Sequence, residues 1–284
     1  MKRSRTNVLV SVLLMFCAGM TTAVWGDEAS DAYDKGIKFL SEGRQRDAIT
    51  AFDQAIRLNP RSAEAYLGRG MAYNETGKNE QALKDYDAAL ALNPQYAEAY
   101  FNRGNTYSDL GQHERALKDY NETVRLDSNH SGAVFNRSVA NMFLRHPETA
   151  ADARAYVKLK GWKDERTQYM VIFGAFGDRW AQRETEARQL LDEAAANCNT
   201  SAWPYPVIRY LRRDMSVDDL LAAATDPDKK TEARAYLGLD LVLAGKQDEA
   251  LTHLHWVKDN GKKNFSEYAF AVSELGRLEA GAGN

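Results

Sequence analysis

The residues able to do chemistry are few in this chain, and they are spread out. Its five histidines stand at positions 113, 130, 146, 253 and 255. His253 and His255 are two apart on an expected helix and so point to different faces, whereas a helical zinc site needs i, i+4 spacing. The two cysteines, Cys17 and Cys198, cannot form a disulfide scaffold or a multi-cysteine metal site. Asp218 and Asp219 are adjacent and exposed, which does not suit paired acid–base work. No Gly-x-Gly-x-x-Gly, Walker loop, Gly-x-Ser-x-Gly or Cys-x-x-Cys occurs. Gly174 and Gly177 fall inside a helical pattern, where they are expected to relieve crowding between helices. The sequence thus reads as non-enzymatic, without cofactor, metal or small-molecule substrate. What does recur is amide and carboxylate chemistry. Asn102 and Asn136 are 34 residues apart, as are Glu64 and Glu98, and Asn105 joins the same set. An amide both donates and accepts, so it suits the backbone of an extended peptide.

These residues need elements to hold them, and the 34-residue spacing says which. Ala48, Ala82, Ala116 and Ala150 are evenly spaced, as are Gly36, Gly70 and Gly104, and Gly43, Gly77 and Gly111. Phe52, Tyr86 and Tyr120 follow the same interval, as do Tyr66 and Tyr100, Tyr73 and Tyr107, and the pairs Asn59-Pro60 and Asn93-Pro94. Within each period, apolar residues recur at helical spacing in two runs of about fourteen residues. A glycine ends the first run, where a left-handed C-cap favours it. A proline stops the second. Gly70 and Ala82 are expected to face each other so that the two helices approach closely, with aromatic residues between hairpins. One such hairpin cannot bury its apolar face alone, so units must stack.

The order aromatic, small, Tyr, Ala, aromatic, Ala, Pro resembles the tetratricopeptide (TPR) repeat. The resemblance implies an all-α fold, a right-handed superhelical solenoid of antiparallel helix hairpins. Three regular repeats are expected over 27–128 and degenerate hairpins over 129–197, the first of them with Arg154 in place of an aromatic. The second, 164–197, reads either as a hairpin with helices around 169–176 and 185–196 or as two unrelated packing helices. A Trp203-Pro204 linker with short helices fills 198–230, with 203–206 non-helical and helices from Val207 and after Ser216. Residues 231–284 supply a last hairpin, marked by Gly238, Gly245 and Ala250, and a C-terminal capping helix over 265–278.

In TPR stacks the first helix of each hairpin lines the concave face. Counting repeats from 29, 63, 97 and 131, the sixth positions are Asp34, Gly68, Asn102 and Asn136, an incipient ladder of amides. The same asparagines are also what a repeat tolerates at a polar position. The second positions are Ser30, Glu64, Glu98 and Gly132, so carboxylates stand where a clamp for acidic peptide termini would place cations. Neutral or basic partner segments are expected instead. Arg69, Arg103 and Arg137 recur beside the hairpin core and are expected to pack their stems with their heads in water.

The Trp-Pro entry, the two-helix insert, the Tyr236-Leu237-Gly238 hairpin and the closing helix resemble the NlpI-type bacterial envelope TPR adaptors. That resemblance implies a dimeric adaptor that gathers peptidoglycan hydrolases and a periplasmic protease. At the other end, Lys2, Arg3 and Arg5 precede an apolar run from Val8 to Met20. As a helix it rises about 20 Å, short of the roughly 30 Å hydrocarbon core, so a signal peptide over 1–26 is expected. Cleavage before Asp27 fits the small residue Gly26, with Ala23 an alternative, and would leave 34 basic against 40 acidic residues. Lipidation at Cys17, the route to membrane association, places bulky Phe16 where a small residue is wanted. An exported chain in the periplasm or cell envelope follows, binding other proteins or extended peptides and able to pair as a homodimer. The whole chain's net charge of -3 offers no basic excess for nucleic acid.

Overall fold

The structure, a computed structural model, describes residues 27–281. The expected signal peptide, its cleavage point and Cys17 lie outside the described residues. Among the described residues the elements are fifteen α-helices, and they fall into two compact units, 27–128 and 129–281. None of these helices is long and apolar enough to cross a membrane.

The first unit holds α1 (Asp27–Ser41), α2 (Gln45–Leu58), α3 (Ala63–Glu75), α4 (Asn79–Leu92), α5 (Ala97–Asp109) and α6 (His113–Leu126), packed as adjacent antiparallel pairs. The turn inside each pair closes on Gly43, Gly77 or Gly111, at φ 72, 75 and 71°. These are left-handed positions that strain any residue with a Cβ. Between pairs, the recurring asparagine acts through its side chain. Asn59 Oδ1 accepts from the Arg61 amide and Asn93 Oδ1 from the Gln95 amide, both at 3.1 Å, around Pro60 and Pro94.

Inside each pair, close approach is set by an aromatic ring lying on a glycine sixteen residues before it. A Cβ on Gly36 would sit 2.5 Å from the Phe52 ring, on Gly70 2.6 Å from Tyr86, and on Gly104 2.9 Å from Tyr120. The partner of Gly70 is therefore Tyr86, not the expected Ala82, which is fully buried. Phe52 would also meet a Cβ on Gly68 of the following pair, so it does bridge hairpins as expected.

The recurring arginines differ from the expectation of heads in water. Arg69 grips Asp85 with Nε and Nη2 at 2.8 and 2.7 Å and reaches Asp53 at 2.6 Å. Arg103 repeats the arrangement with Asp119 and Asp87. Asp85 and Asp119 are buried, so the bidentate fork offsets the desolvation of a charge the core would otherwise reject. In the second unit Arg137 donates through Nε and Nη2 to one oxygen of Asp152, Oδ1, and Asn141 donates to the other at 3.1 Å.

That second unit contains α7 (Ser131–Leu144), α8 (Thr149–Lys160), α9 (Thr167–Trp180), α10 (Glu184–Asn197), α11 (Tyr205–Leu211), α12 (Val217–Ala223), α13 (Pro227–Leu243), α14 (Gln247–Asn260) and α15 (Ser266–Gly281). α9 and α10 do pair, so 164–197 is a hairpin. Its turn, and that of α7 and α8, place Gln182 (φ 60°) and Arg145 (φ 56°) in the left-handed region. The earlier repeats use glycine there, and its absence is why these hairpins look degenerate. Arg154, in place of the aromatic, pairs with Asp178 at 2.7 Å.

Two details depart from the sequence reading. Tyr205 and Pro206 belong to the first turn of α11, where a proline needs no amide partner, so 203–206 is only partly non-helical. Asp226 caps α13 through the Lys229 amide at 2.9 Å, with Pro227 opening the helix rather than merely turning the chain. Ser216 caps α12 as expected.

Buried charge organises the second unit. Asp240 of α13 accepts from Arg179 of α9 at 3.0 Å, from Tyr210 of α11 at 2.8 Å and from Arg213 at 2.6 Å. The closing helix α15 covers α13 and α14 as a cap does, and it also packs on α7. Phe270 meets Phe143 at 4.5 Å between ring centroids and Phe173 edge-on at 5.9 Å. Glu274, fully buried, is held by Arg145 and Arg277. A linear stack gives its cap no such contact with an earlier hairpin.

Candidate functional site

The candidate residues divide between the units. Glu64, Glu98, Asn102 and Asn105 lie in 27–128, on α3 and α5, whereas Asn136 lies on α7 of 129–281. Glu64 and Glu98 occupy the same place in the first turn of successive helices, where the helix dipole favours a carboxylate. Both act on Tyr96. Burial, the neighbouring Tyr33, and the charges of Glu64 and Glu98 all raise its pKa, which gathers the four residues in one neighbourhood. Spacing did not single out Tyr96, because its counterpart one period earlier is Ser62, an N-cap whose hydroxyl accepts from the Ala65 amide at 3.0 Å.

The amides are partly committed. Asn102 Nδ2 donates to the Glu98 carbonyl at 2.8 Å, so its carbonyl oxygen is the group turned to acceptor work. Asn105 Oδ1 accepts from the Tyr120 hydroxyl at 3.0 Å, tying it to the hairpin interior. Asn74, which the repeat count did not single out, donates through Nδ2 to Thr106 at 3.0 Å and so links α3 to α5. The cations of these two helices, Arg69 and Arg103, are held by aspartates of α2, α4 and α6. The acidic and amide side chains of α3 and α5 include acceptors at Glu64 and at the amide oxygens of Asn74 and Asn102, while Glu75 accepts from Gln45 at 2.8 Å.

Elsewhere the reactive residue types are engaged in packing. Burial pushes the Cys198 thiol up to about 11, which keeps it protonated near neutral pH. His253 Nδ1 lies 3.0 Å from Arg234, whose guanidinium also stacks 4.7 Å above the Trp256 ring. Among the described residues no group of three or more His, Cys, Asp or Glu side chains could hold a metal ion.

Stacked helical pairs with an aromatic ring on a glycine define a helical-hairpin repeat protein. Over residues 36–130 these are tetratricopeptide repeats: the TPR repeat family matches at residues 36–77 and 70–111, and the tetratricopeptide repeat family at 97–130. No curated protein matches the chain. Among solved structures, the chain is similar to a tetratricopeptide repeat protein from Parabacteroides merdae, with TM-score 0.56 and 16% identity, over 87% of this chain and 99% of that one. It is also similar to YrrB, described as a TPR protein with an unusual peptide-binding site (TM-score 0.53, 17% identity, 66% of this chain and 92% of that one). MamA gives TM-score 0.52 at 17% identity, over 60% of this chain and 92% of that one. At these identities the likeness is one of fold. TPR repeats are protein- and peptide-binding scaffolds.

Proposed function

We propose that this chain is an exported, non-enzymatic adaptor of the cell envelope, whose α3 and α5 receive extended, donor-rich segments of other envelope proteins. One observation carries the reading: the arginines of these helices are held by aspartates of α2, α4 and α6, so the cations that an acidic partner would need are already engaged. A partner rich in backbone N–H groups, lysine or arginine complements such a surface, and an acidic peptide terminus does not. YrrB, whose described peptide-binding site sits on a similar fold, supports the choice of a peptide over a small molecule. Export rests on the residues of 1–26. The NlpI-type subclass, with peptidoglycan hydrolases or a protease as partners and a dimeric state, rests on the Trp203-Pro204 entry and the closing helix.

A chaperone that uses the same surface on unfolded clients is the second reading, and it rests on the amides, which would grip backbone whatever the side chains. Crosslinking and pull-down of the full chain from native envelopes separates the two. A few stoichiometric folded partners support the adaptor, and many sub-stoichiometric clients support the chaperone.

Replacing Asn102 with alanine is expected to weaken binding of a recovered partner about fivefold, since a net hydrogen bond contributes about 1 kcal/mol. Stability should stay within about 0.5 kcal/mol. Calorimetric titration of both proteins is the measurement, and equal affinities would place the partner on another face.

A further inference from the structure

Arg234 of α13 differs from the arginines whose pairing is described above, because no carboxylate among the described residues comes within ion-pair distance of it. Its guanidinium lies 4.7 Å above the Trp256 ring of α14, and its Nη1 lies 3.0 Å from His253 Nδ1. A guanidinium only donates, so Nδ1 accepts, and His253 is a neutral imidazole with its proton on Nε2. Burial first, and then the Arg234 charge, lower the His253 pKa, in keeping with that tautomer. The edge of Arg234 formed by Nε and Nη2 meets no acceptor among the described residues. It is the edge that Arg69 and Arg103 close on Asp85 and Asp119. Carboxylates near the ends of the two helices are engaged elsewhere: Asp226, Asp228 and Glu249 pair with Lys229, Lys262 and Lys246. Burial therefore lowers the Arg234 pKa with no anion to offset it.

We propose that the Nε–Nη2 edge of Arg234 is a binding site for an aspartate or glutamate side chain of another protein, on helices of the second unit that the function above does not use. The Trp256 ring and His253 fix the guanidinium plane before a ligand arrives, so little side-chain freedom is lost when the fork closes on a carboxylate. Arg234 and Trp256 are both half-buried, which strengthens the pairing relative to open water. Lys230 lies one turn before Arg234 on α13, is exposed, and joins no ion pair among the described residues. Four residues along a helix rise about 6 Å. Residues two apart on an extended chain are separated by about 6.6 Å. The two cations therefore match an extended segment in which acidic residues alternate with others, as in Glu-x-Glu.

His253 reports on this site. A carboxylate bound to Arg234 offsets the positive charge that holds the imidazole neutral, so the His253 pKa rises toward its ordinary value of 6.5. The charge of Glu249, one turn before His253 on α14, acts in the same direction but is present with or without a ligand. The Arg69 and Arg103 forks are already closed, so an acidic segment has this edge open to it on α13 and no such edge on α3 or α5.

Nuclear magnetic resonance titration of the full chain with the peptide acetyl-Ser-Glu-Ser-Glu-Ser-amide reads the site through the Trp256 indole and the His253 ring. The counterpart with glutamine in place of both glutamates is expected to bind at least about tenfold more weakly, because charge-assisted hydrogen bonds carry the contact. Saturating glutamate peptide should raise the His253 pKa by about half a unit. Arg234→Gln should weaken binding about tenfold or more and Lys230→Gln about threefold, while Arg46→Gln, an exposed cation of α2, should change it less than about twofold. If Arg234→Gln does not fold, as judged by circular dichroism, Arg234→Lys, which keeps the charge without the fork, and Lys230→Gln decide, and an affinity that both leave unchanged would overturn the proposal. Equal binding of the two peptides would overturn it, as would equal binding by wild type and Arg234→Gln. Inorganic phosphate that binds as tightly as the glutamate peptide would overturn it too, by showing an anion site with no preference for an acidic segment.

Discussion

Replacing Asp240 with alanine is expected to lower the melting temperature of the protein by roughly 6–20 °C. Asp240 is the acceptor shared by Arg179, Arg213 and Tyr210. Its side chain is 3% exposed and that of Arg179 only 6%. Removing the carboxylate leaves a guanidinium buried beside a hydroxyl that has lost its partner. Removal of one member of a buried pair destabilises by about 3–5 kcal/mol, because the other is left desolvated and uncompensated. Arg179 keeps the Leu211 carbonyl and the exposed Glu184, so the loss falls short of complete unfolding. Asp240→Asn should recover part of it by accepting from Tyr210. Differential scanning calorimetry decides the matter, and a melting temperature within 2 °C of wild type would show that the hub contributes little.

Gly177→Leu is expected to destabilise by about 1–3 kcal/mol, although leucine is the better helix former. An added Cβ at this position would lie 2.7 Å from the Ala150 backbone nitrogen and 3.1 Å from the Pro147 carbonyl oxygen. Backbone cannot swing aside as a side chain can, so α8 and α9 must separate, and Phe173 and Phe176 on α9 lose packing with them. Gly276→Ala is the matched control. Gly276 lies in α15 with nothing within 4 Å of the added Cβ, so propensity acts alone and stability should rise by up to about 1 kcal/mol. Chemical denaturation of the two variants should therefore give shifts of opposite sign. Stabilisation of both variants would mean that helix propensity, rather than the approach of α8 to α9, governs both sites.

The sequence by itself determined the helical hairpins, their 34-residue period and the turn at each glycine, because those depend on residues close in the chain. Gly77 needs only its own backbone to fix a left-handed cap, and Asn93 needs only the next two residues to form its turn. The candidate carboxylates and amides of α3 and α5 could be found for the same reason, since a strict repeat converts chain spacing into position. Tertiary structure decided what lies opposite. That Gly70 faces Tyr86, that Arg69 is held by Asp53 and Asp85, and that Asn74 donates to Thr106 all depend on how helices meet. Where the period slips, the hairpins of the second unit keep their geometry with Arg145 and Gln182 in left-handed turns that no glycine announces. The return of α15 to α7, and the hydrogen bond from Tyr236 to Glu267, join residues up to about 130 positions apart. Such contacts follow from buried charge and ring packing that a single sequence does not order, so only the folded chain reveals them.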